Sequence, residues 1–327
     1  MSASLESQST TAGAPFDDTR ADVILRSSDG VDFRVFKIIL SLASPIFADM
    51  FSIPSPSPAS SETFRDKLPV VMLSEDSIVL DLALRRCYPI RCPELVELRD
   101  AHALLEFERK YQVDALNPPL THYLMSAVER DPVSAYILAT KYQYEDVAKI
   151  AARSCLKLPI SKFRCDALRY VTGEEYQALI EYHSSCGAAA SAVTLERKWL
   201  ELPLNKLFLG PKPSSEGCAS CMMGDMLQRQ SSFPFSPITR APRYLWSYLH
   251  RSALLLAHHP NVEAVTTEAF VLKDIYCPPC LAARRTDMLD FSRFFAREVW
   301  KAIEKVIGYS SKFGWQCLIN RLLTRFL

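Results

Sequence analysis

Between Ala21 and Met50 the spacing of apolar residues changes from a period of two to a period near 3.6, and this change constrains the fold more than any other feature. Ala21-Asp22-Val23-Ile24-Leu25-Arg26 is a short β-type run, and Ser28-Asp29-Gly30 is a turn signal. Asp32-Phe33-Arg34-Val35-Phe36 then alternates polar and apolar side chains, which predicts a β-hairpin. Ile38, Ile39, Leu42, Ile46, Phe47 and Met50 follow at helical spacing. Ser44-Pro45 can start a second helical turn, because proline suits the first helical position.

Further along, Ile53 to Ser61 is a Pro/Ser loop, and Leu68-Pro69-Val70-Val71-Met72-Leu73 is another strand. Ser74 then reads as the N-cap of a helix carrying Ile78, Leu80, Leu82 and Leu84, which Tyr88-Pro89 ends. From about Asp100 the pattern is helical almost throughout. Lys110-Tyr111-Gln112 recurs as Lys141-Tyr142-Gln143, each copy with an apolar run on either side, which reads as successive helical hairpins. Leu158-Pro159 closes that block, and Thr172-Gly173-Glu174-Glu175 opens a helix expected to reach about Ser185. Leu209 to Gly217 is a turn-rich linker and Ser231 to Pro242 a Pro/Ser loop. Helices are expected over Arg243 to Leu256 and, with a stripe of Phe291, Phe294, Phe295, Val299, Ile303 and Val306, over about Asp287 to Ile307. Residues 1–15 are polar, so disorder is expected there, with order beginning near Asp17.

The length of 327 residues allows about two domains, and 49% hydrophobic content is that of an ordinary globular protein. Lys and Arg number 38 against 37 Asp and Glu, so no strongly basic stripe for nucleic acid is expected. Nine glycines are under half the average usage of about 7%, and neither GxxxxGK[ST] nor GxGxxG occurs, which argues against nucleotide enzymes built on those loops. No apolar run is long enough for a transmembrane helix, and Met1 to Ala14 lacks the features of a secretory signal. The expectation is an intracellular protein, cytoplasmic or nuclear, whose ten cysteines are thiols or metal ligands before they are disulfides.

By Tyr88 the order of segments resembles a BTB/POZ domain. The strands beginning Ala21-Asp22-Val23 and Asp32-Phe33-Arg34-Val35 are followed by Phe36-Lys37, Leu40, Ser41 and Phe47-Ala48-Asp49-Met50-Phe51, a stretch similar to the most characteristic part of that family. Phe36 stands where the family has His before Lys. Tyr88-Pro89, in place of the commoner Tyr-Thr-Gly, resembles the BTB proteins of mushroom-forming fungi. The polar N-terminus shows no extra strand of the kind many BTB domains exchange in dimers.

The implied fold class is α+β: a short mixed sheet flanked by helices, then a mostly helical C-terminal region. The boundaries read as 1–15 disordered, 16–128 BTB/POZ-like, 129–210 a helical extension and 211–327 a helical region with two CxxC motifs. The resemblance implies protein–protein interaction, with self-association or scaffolding first. The alternatives are a substrate adaptor of a cullin-type ubiquitin ligase or a transcription regulator. In cullin-binding members a hydrophobic-x-Glu segment follows the Met-Phe helix, and here the Ile53–Ser61 loop holds that place. Phe33, Phe36, Ile39, Leu40 and Phe51 are the candidate interface residues, with core positions as the competing reading. Partners are expected to be proteins, a second copy of the chain or another, and not nucleic acid.

The strongest chemical signal is the pair of CxxC motifs, Cys218/Cys221 and Cys277/Cys280. Each pair can present two sulfurs to one ion, and together they can complete a Cys₄ structural zinc shell. The 55 residues between them exceed the spacing of a zinc ribbon, so buried thiols and a disulfide or redox pair stay open. His258-His259 reads as a surface or helix-capping pair, with replacement of a zinc ligand as the alternative. Cys87, Cys92, Cys155, Cys165, Cys186 and Cys317 read as small buried hydrophobes. Glu106-Phe-Glu108-Arg109-Lys110 reads as a solvated helix face, and no GxSxG elbow or Cys/His pair points to an enzyme. The tail after Gly308 mixes aromatic and basic residues (Phe313, Trp315, Arg321, Arg325, Phe326), which fits packing or fraying better than a membrane-surface helix.

Overall fold

The hairpin forms from Val23–Arg26 (β2) and Val31–Val35 (β3), paired antiparallel with Leu25 opposite Phe33. Gly30 closes it at a φ of +83°, a left-handed conformation that glycine adopts without a Cβ penalty. The computed structural model describes residues 10–53, 64–195 and 243–313, with the side chains of the last helix described as far as Val306. The chain divides into two compact units, residues 1–149 and 150–327.

In the first unit Thr10–Thr11 (β1), Phe64–Arg65 (β4) and Leu68–Met72 (β5) complete a five-stranded sheet of order β1-β3-β2-β5-β4. β5 (Leu68–Met72) runs parallel to β2, and β4 (Phe64–Arg65) returns antiparallel to β5 through Asp66 and Lys67, both at positive φ. β4 has no signature in the sequence, because two residues beside a Pro/Ser loop carry no period. Two expectations about the N-terminus are corrected. Thr10–Thr11 forms a strand, β1, parallel to β3, so an N-terminal strand is present. Order also begins before Asp17: Phe16 is fully buried, packed on Phe33 at 5.7 Å and edge-on to Tyr88 at 5.6 Å. Val23, Leu25, Phe33 and Val35 share one buried face, as the period-two pattern requires.

Seven helices follow the strands or lie between them: α1 (Lys37–Ala43), α2 (Pro45–Ser52), α3 (Ser77–Cys87), α4 (Leu98–Tyr111), α5 (Asn117–Arg130), α6 (Pro132–Lys141) and α7 (Glu145–Cys155). The α3 cap is Asp76, whose carboxylate accepts from the Val79 N–H at 2.9 Å, and not Ser74. Ser74 instead accepts a hydrogen bond from the Lys110 ammonium.

The second unit is helical among the described residues after α7. Its main elements are α8 (Gly173–Ala192), α9 (Arg243–His258), the short α10 (Glu268–Val271) and α11 (Pro278–Phe313). Thr172 and Glu175 form a reciprocal capping box at the start of α8, as the sequence signature predicts. The helix runs past Ser185 to Ala192 because Cys186, Gly187 and Ala190 are small enough to pack against the other helices. At Gly187 an added Cβ would lie 2.4 Å from the Ala257 carbonyl oxygen, so α8 and α9 meet backbone to backbone. The core between α8, α9 and α11 is built from Tyr248, Leu249, Phe291, Phe295, Val299 and Ile303. α11 begins nine residues before the sequence reading, since Pro278 and Pro279 fit a helix's first turn and continue it from Cys277. No helix among the described residues is long and apolar enough to cross a membrane.

Candidate interaction surface

α1 and α2 are placed by bonds from other elements. No side chain caps α1; its first amides donate instead to the Tyr88 hydroxyl (from Phe36, 2.8 Å) and to Asp22 Oδ1 (from Lys37, 2.8 Å). Buried Ser44 separates the two helices. Its Oγ accepts from the Phe47 N–H at 3.0 Å and donates to the Tyr111 carbonyl. Phe47 stacks on Tyr111 with ring centroids 4.7 Å apart and on Phe51 at 5.8 Å, so α2 is fixed against α4 by an aromatic column.

This framework places the five candidate interface residues differently. Phe33 and Leu40 are buried within the unit, at 2% and 0% exposure. Phe36, Ile39 and Phe51 are half-buried, and Lys37 Nζ lies 5.8 Å over the Phe51 ring. On α1 and at the end of α2 the apolar side chains left in solvent are others: Ile38 at 63%, Leu42 at 82% and Ile53 at 68% exposure. Ile38 and Leu42 are four residues apart and so form one ridge of α1. Seven apolar-rich residues carry no clear polar face, and the sequence alone did not separate the outward ridge from the inward one.

Polar groups lock the rest of the unit. Asp32 is buried between Arg26, which donates from Nε at 2.5 Å, and Arg65. Burial works to raise the Asp32 pKa, but the two guanidinium hydrogen bonds hold it below its usual value. Glu75 receives Lys110 at 2.8 Å and the Tyr111 hydroxyl at 3.0 Å, while Glu106 receives the Tyr142 hydroxyl at 2.7 Å and Lys141 at 2.9 Å. The solvated-face reading of Glu106 is therefore corrected. It is half-buried, and Tyr142, Lys141 and Arg109 overcome the effect of burial to lower its pKa to about 2.

The twice-occurring Lys-Tyr-Gln corresponds to two helix ends. Gln112 and Gln143 both take positive φ, at 52° and 64°, and the preceding Lys and Tyr grip a glutamate each time. What recurs is a way of terminating a helix, and a tandem-repeat architecture gains no support from it.

Of the four proposed zinc ligands, Cys277 and Cys280 are half-buried at the start of α11, and Cys218 and Cys221 lie outside the described residues. No group of three or more His, Cys, Asp or Glu side chains among the described residues is placed to hold a metal. His259 Nε2 lies 2.5 Å from the Lys157 carbonyl oxygen. Cys155 and Cys186 are buried, and burial pushes the Cys186 thiol up to about 11, whereas Cys87, Cys92 and Cys165 are only half-buried. Cys317 and the tail from Gly314 onward also lie outside the described residues.

The first unit is thus a small mixed sheet backed by helices, with a polar-locked interior and an apolar ridge of α1 in solvent. Comparison with protein families finds that residues 15–127 match the BTB/POZ domain, so the chain carries a BTB/POZ domain at its N-terminal end. BTB/POZ domains are known as protein–protein interaction modules. No curated protein matches the chain. The match leaves β1 and the helices from α6 onward outside it, and it says nothing of the fungal group that Tyr88-Pro89 resembles.

Proposed function

We propose that this chain is a non-enzymatic scaffold that self-associates through the α1 ridge of its BTB/POZ domain. The observation that carries this reading is the exposure of Ile38 and Leu42 on one line of α1, beside half-buried Ile39. A fully buried Leu or Ile contributes about 1.5–3 kcal/mol relative to an exposed one. Two such residues from each of two copies therefore supply a substantial part of the free energy of a dimer. A symmetric pair suits the feature, because a two-fold contact uses one patch twice and needs no second complementary surface.

Sedimentation velocity of the full chain across a concentration series tests the reading. The wild type is expected to form a dimer in the micromolar range, and Leu42→Glu to shift it to monomer with unchanged circular dichroism. A wild-type chain that stays monomeric throughout overturns self-association. A heterologous adaptor role, with a cullin N-terminal region as the first candidate partner in a binding assay, would then take its place.

A further inference from the structure

Cys277-Pro278-Pro279-Cys280 contributes nothing to the interaction reading, yet it occupies a defined position in the second unit. The Leu281 N–H donates to the Cys277 carbonyl at 2.9 Å, which makes Cys277 the residue that caps α11 and puts Cys280 in its first turn. Helical rise and radius set Cα atoms three residues apart at about 5 Å, inside the range of about 4.4–6.8 Å that a disulfide spans. A capping residue has non-helical dihedrals, and its side chain swings towards the third residue of the helix. At the start of a helix, the capping side chain and the one three residues on therefore converge. Two successive prolines restrict the intervening backbone and stiffen the turn that brings them together.

The two thiols differ in access. Cys280 packs against the core that includes Met288 and Phe291. Cys277 lies between Tyr276, 84% exposed, and exposed Pro278. Both thiols are half-buried, and the apolar packing falls on Cys280 and not on Cys277, so a small disulfide reaches Cys277 more readily.

We propose that Cys277 and Cys280 form a reversible dithiol–disulfide pair, with a low-molecular-weight disulfide of the glutathione type as oxidant. The Cys277 thiolate attacks one sulfur of the oxidised compound. Its S–S bond breaks, one equivalent of the small thiol leaves, and a mixed disulfide forms on Cys277. The Cys280 thiolate then attacks the Cys277 sulfur, closing the internal S–S bond and releasing the second equivalent. Two electrons pass from the protein to the small disulfide, and the two thiol protons end on the two released thiols.

The test uses the full chain incubated with glutathione disulfide, quenched with an alkylating agent and digested with trypsin. Lys273 and Arg284 bracket a peptide, Asp274–Arg284, in which Cys277 and Cys280 are the two cysteines. That peptide is expected two hydrogens lighter and unalkylated, and doubly alkylated again after dithiothreitol. Cys280→Ser is expected to trap glutathione on Cys277, whereas Cys277→Ser should gain the adduct on Cys280 at least several-fold more slowly. A peptide that stays doubly alkylated at every oxidant concentration overturns the proposal. So does a zinc ion, seen by native mass spectrometry of the untreated chain, that shields both cysteines from alkylation until a chelator removes it. The wild-type peptide mass decides the matter even if a variant folds poorly.

Discussion

Ser44 joins two helices with one hydroxyl, and its replacement shows how much a single buried polar atom holds. Its oxygen accepts from the Phe47 N–H and donates to the Tyr111 carbonyl, and the residue is 1% exposed. Ser44→Ala removes an N-cap and leaves a buried carbonyl without this donor, which together cost about 2 kcal/mol. The expected outcome is a clear fall in the urea midpoint of the full chain; an unchanged midpoint would show that the Ser44 bonds add nothing net. Lys67 offers the opposite case. It sits at a φ of +65° in the two-residue turn between β4 and β5, a conformation costly for a side chain with a Cβ. Lys67→Gly is expected to stabilise the first unit by up to about 1 kcal/mol, the relief of strain being partly offset by glycine's freedom in the unfolded chain. A melting temperature that falls instead would argue that the lysine side chain makes a contact worth more than the strain.

At the scale of elements, the turn after α7 is held by two imidazoles. His183 Nε2 on α8 lies 2.8 Å from the Leu158 carbonyl, and His259, just after α9, lies 2.5 Å from that of Lys157. Since a carbonyl only accepts, His183 donates from Nε2, and its buried Nδ1 has no hydrogen-bond partner among the described residues. Burial, reinforced by the charge of His259, holds the His183 pKa below its usual 6.5, although the bond to Leu158 acts the other way. The folded state therefore refuses a proton that the unfolded chain accepts. The stabilisation is complete above the unfolded pKa of about 6.5 and is lost as pH falls through the folded value. Thermal unfolding of the full chain should show a fall in stability between about pH 7 and pH 5 that is shallower in His183→Gln, which keeps a donor for Leu158 but does not titrate. Parallel profiles would remove His183 from the account. Elements of this kind were legible in the sequence only in part. The Thr172–Glu175 capping box and the hairpin around Gly30 follow from local chemistry, and both form as their residues predict. β1 and β4 do not, because two-residue strands exist only through their partners. The outward ridge of α1 was equally hidden, since Ile38 and Ile39 are the same residue type and only the placement of α1 by Tyr88 and Asp22 decides which one faces water.

For the whole molecule, charge decides how a self-association through α1 should respond to salt. The 38 Lys and Arg against 37 Asp and Glu leave a formal net charge of +1, so two copies neither repel nor attract strongly at long range. The exposed ridge itself is apolar, with Lys37 as the one charged side chain within α1. The Debye length falls from about 10 Å at 0.1 M salt to about 3 Å at 1 M. A contact made by charged side chains would weaken many-fold over that range. One made by Ile38 and Leu42 would hold or tighten slightly, because apolar burial does not depend on screening. Sedimentation at low and high sodium chloride should thus give dimer dissociation constants within about threefold of each other, a difference of about 0.65 kcal/mol. A tenfold weakening with salt would place the dimer contact elsewhere. The clustered Arg26, Arg34 and Arg65, which share Asp32 and Asp66 on one side of the sheet, would then be the first surface to mutate.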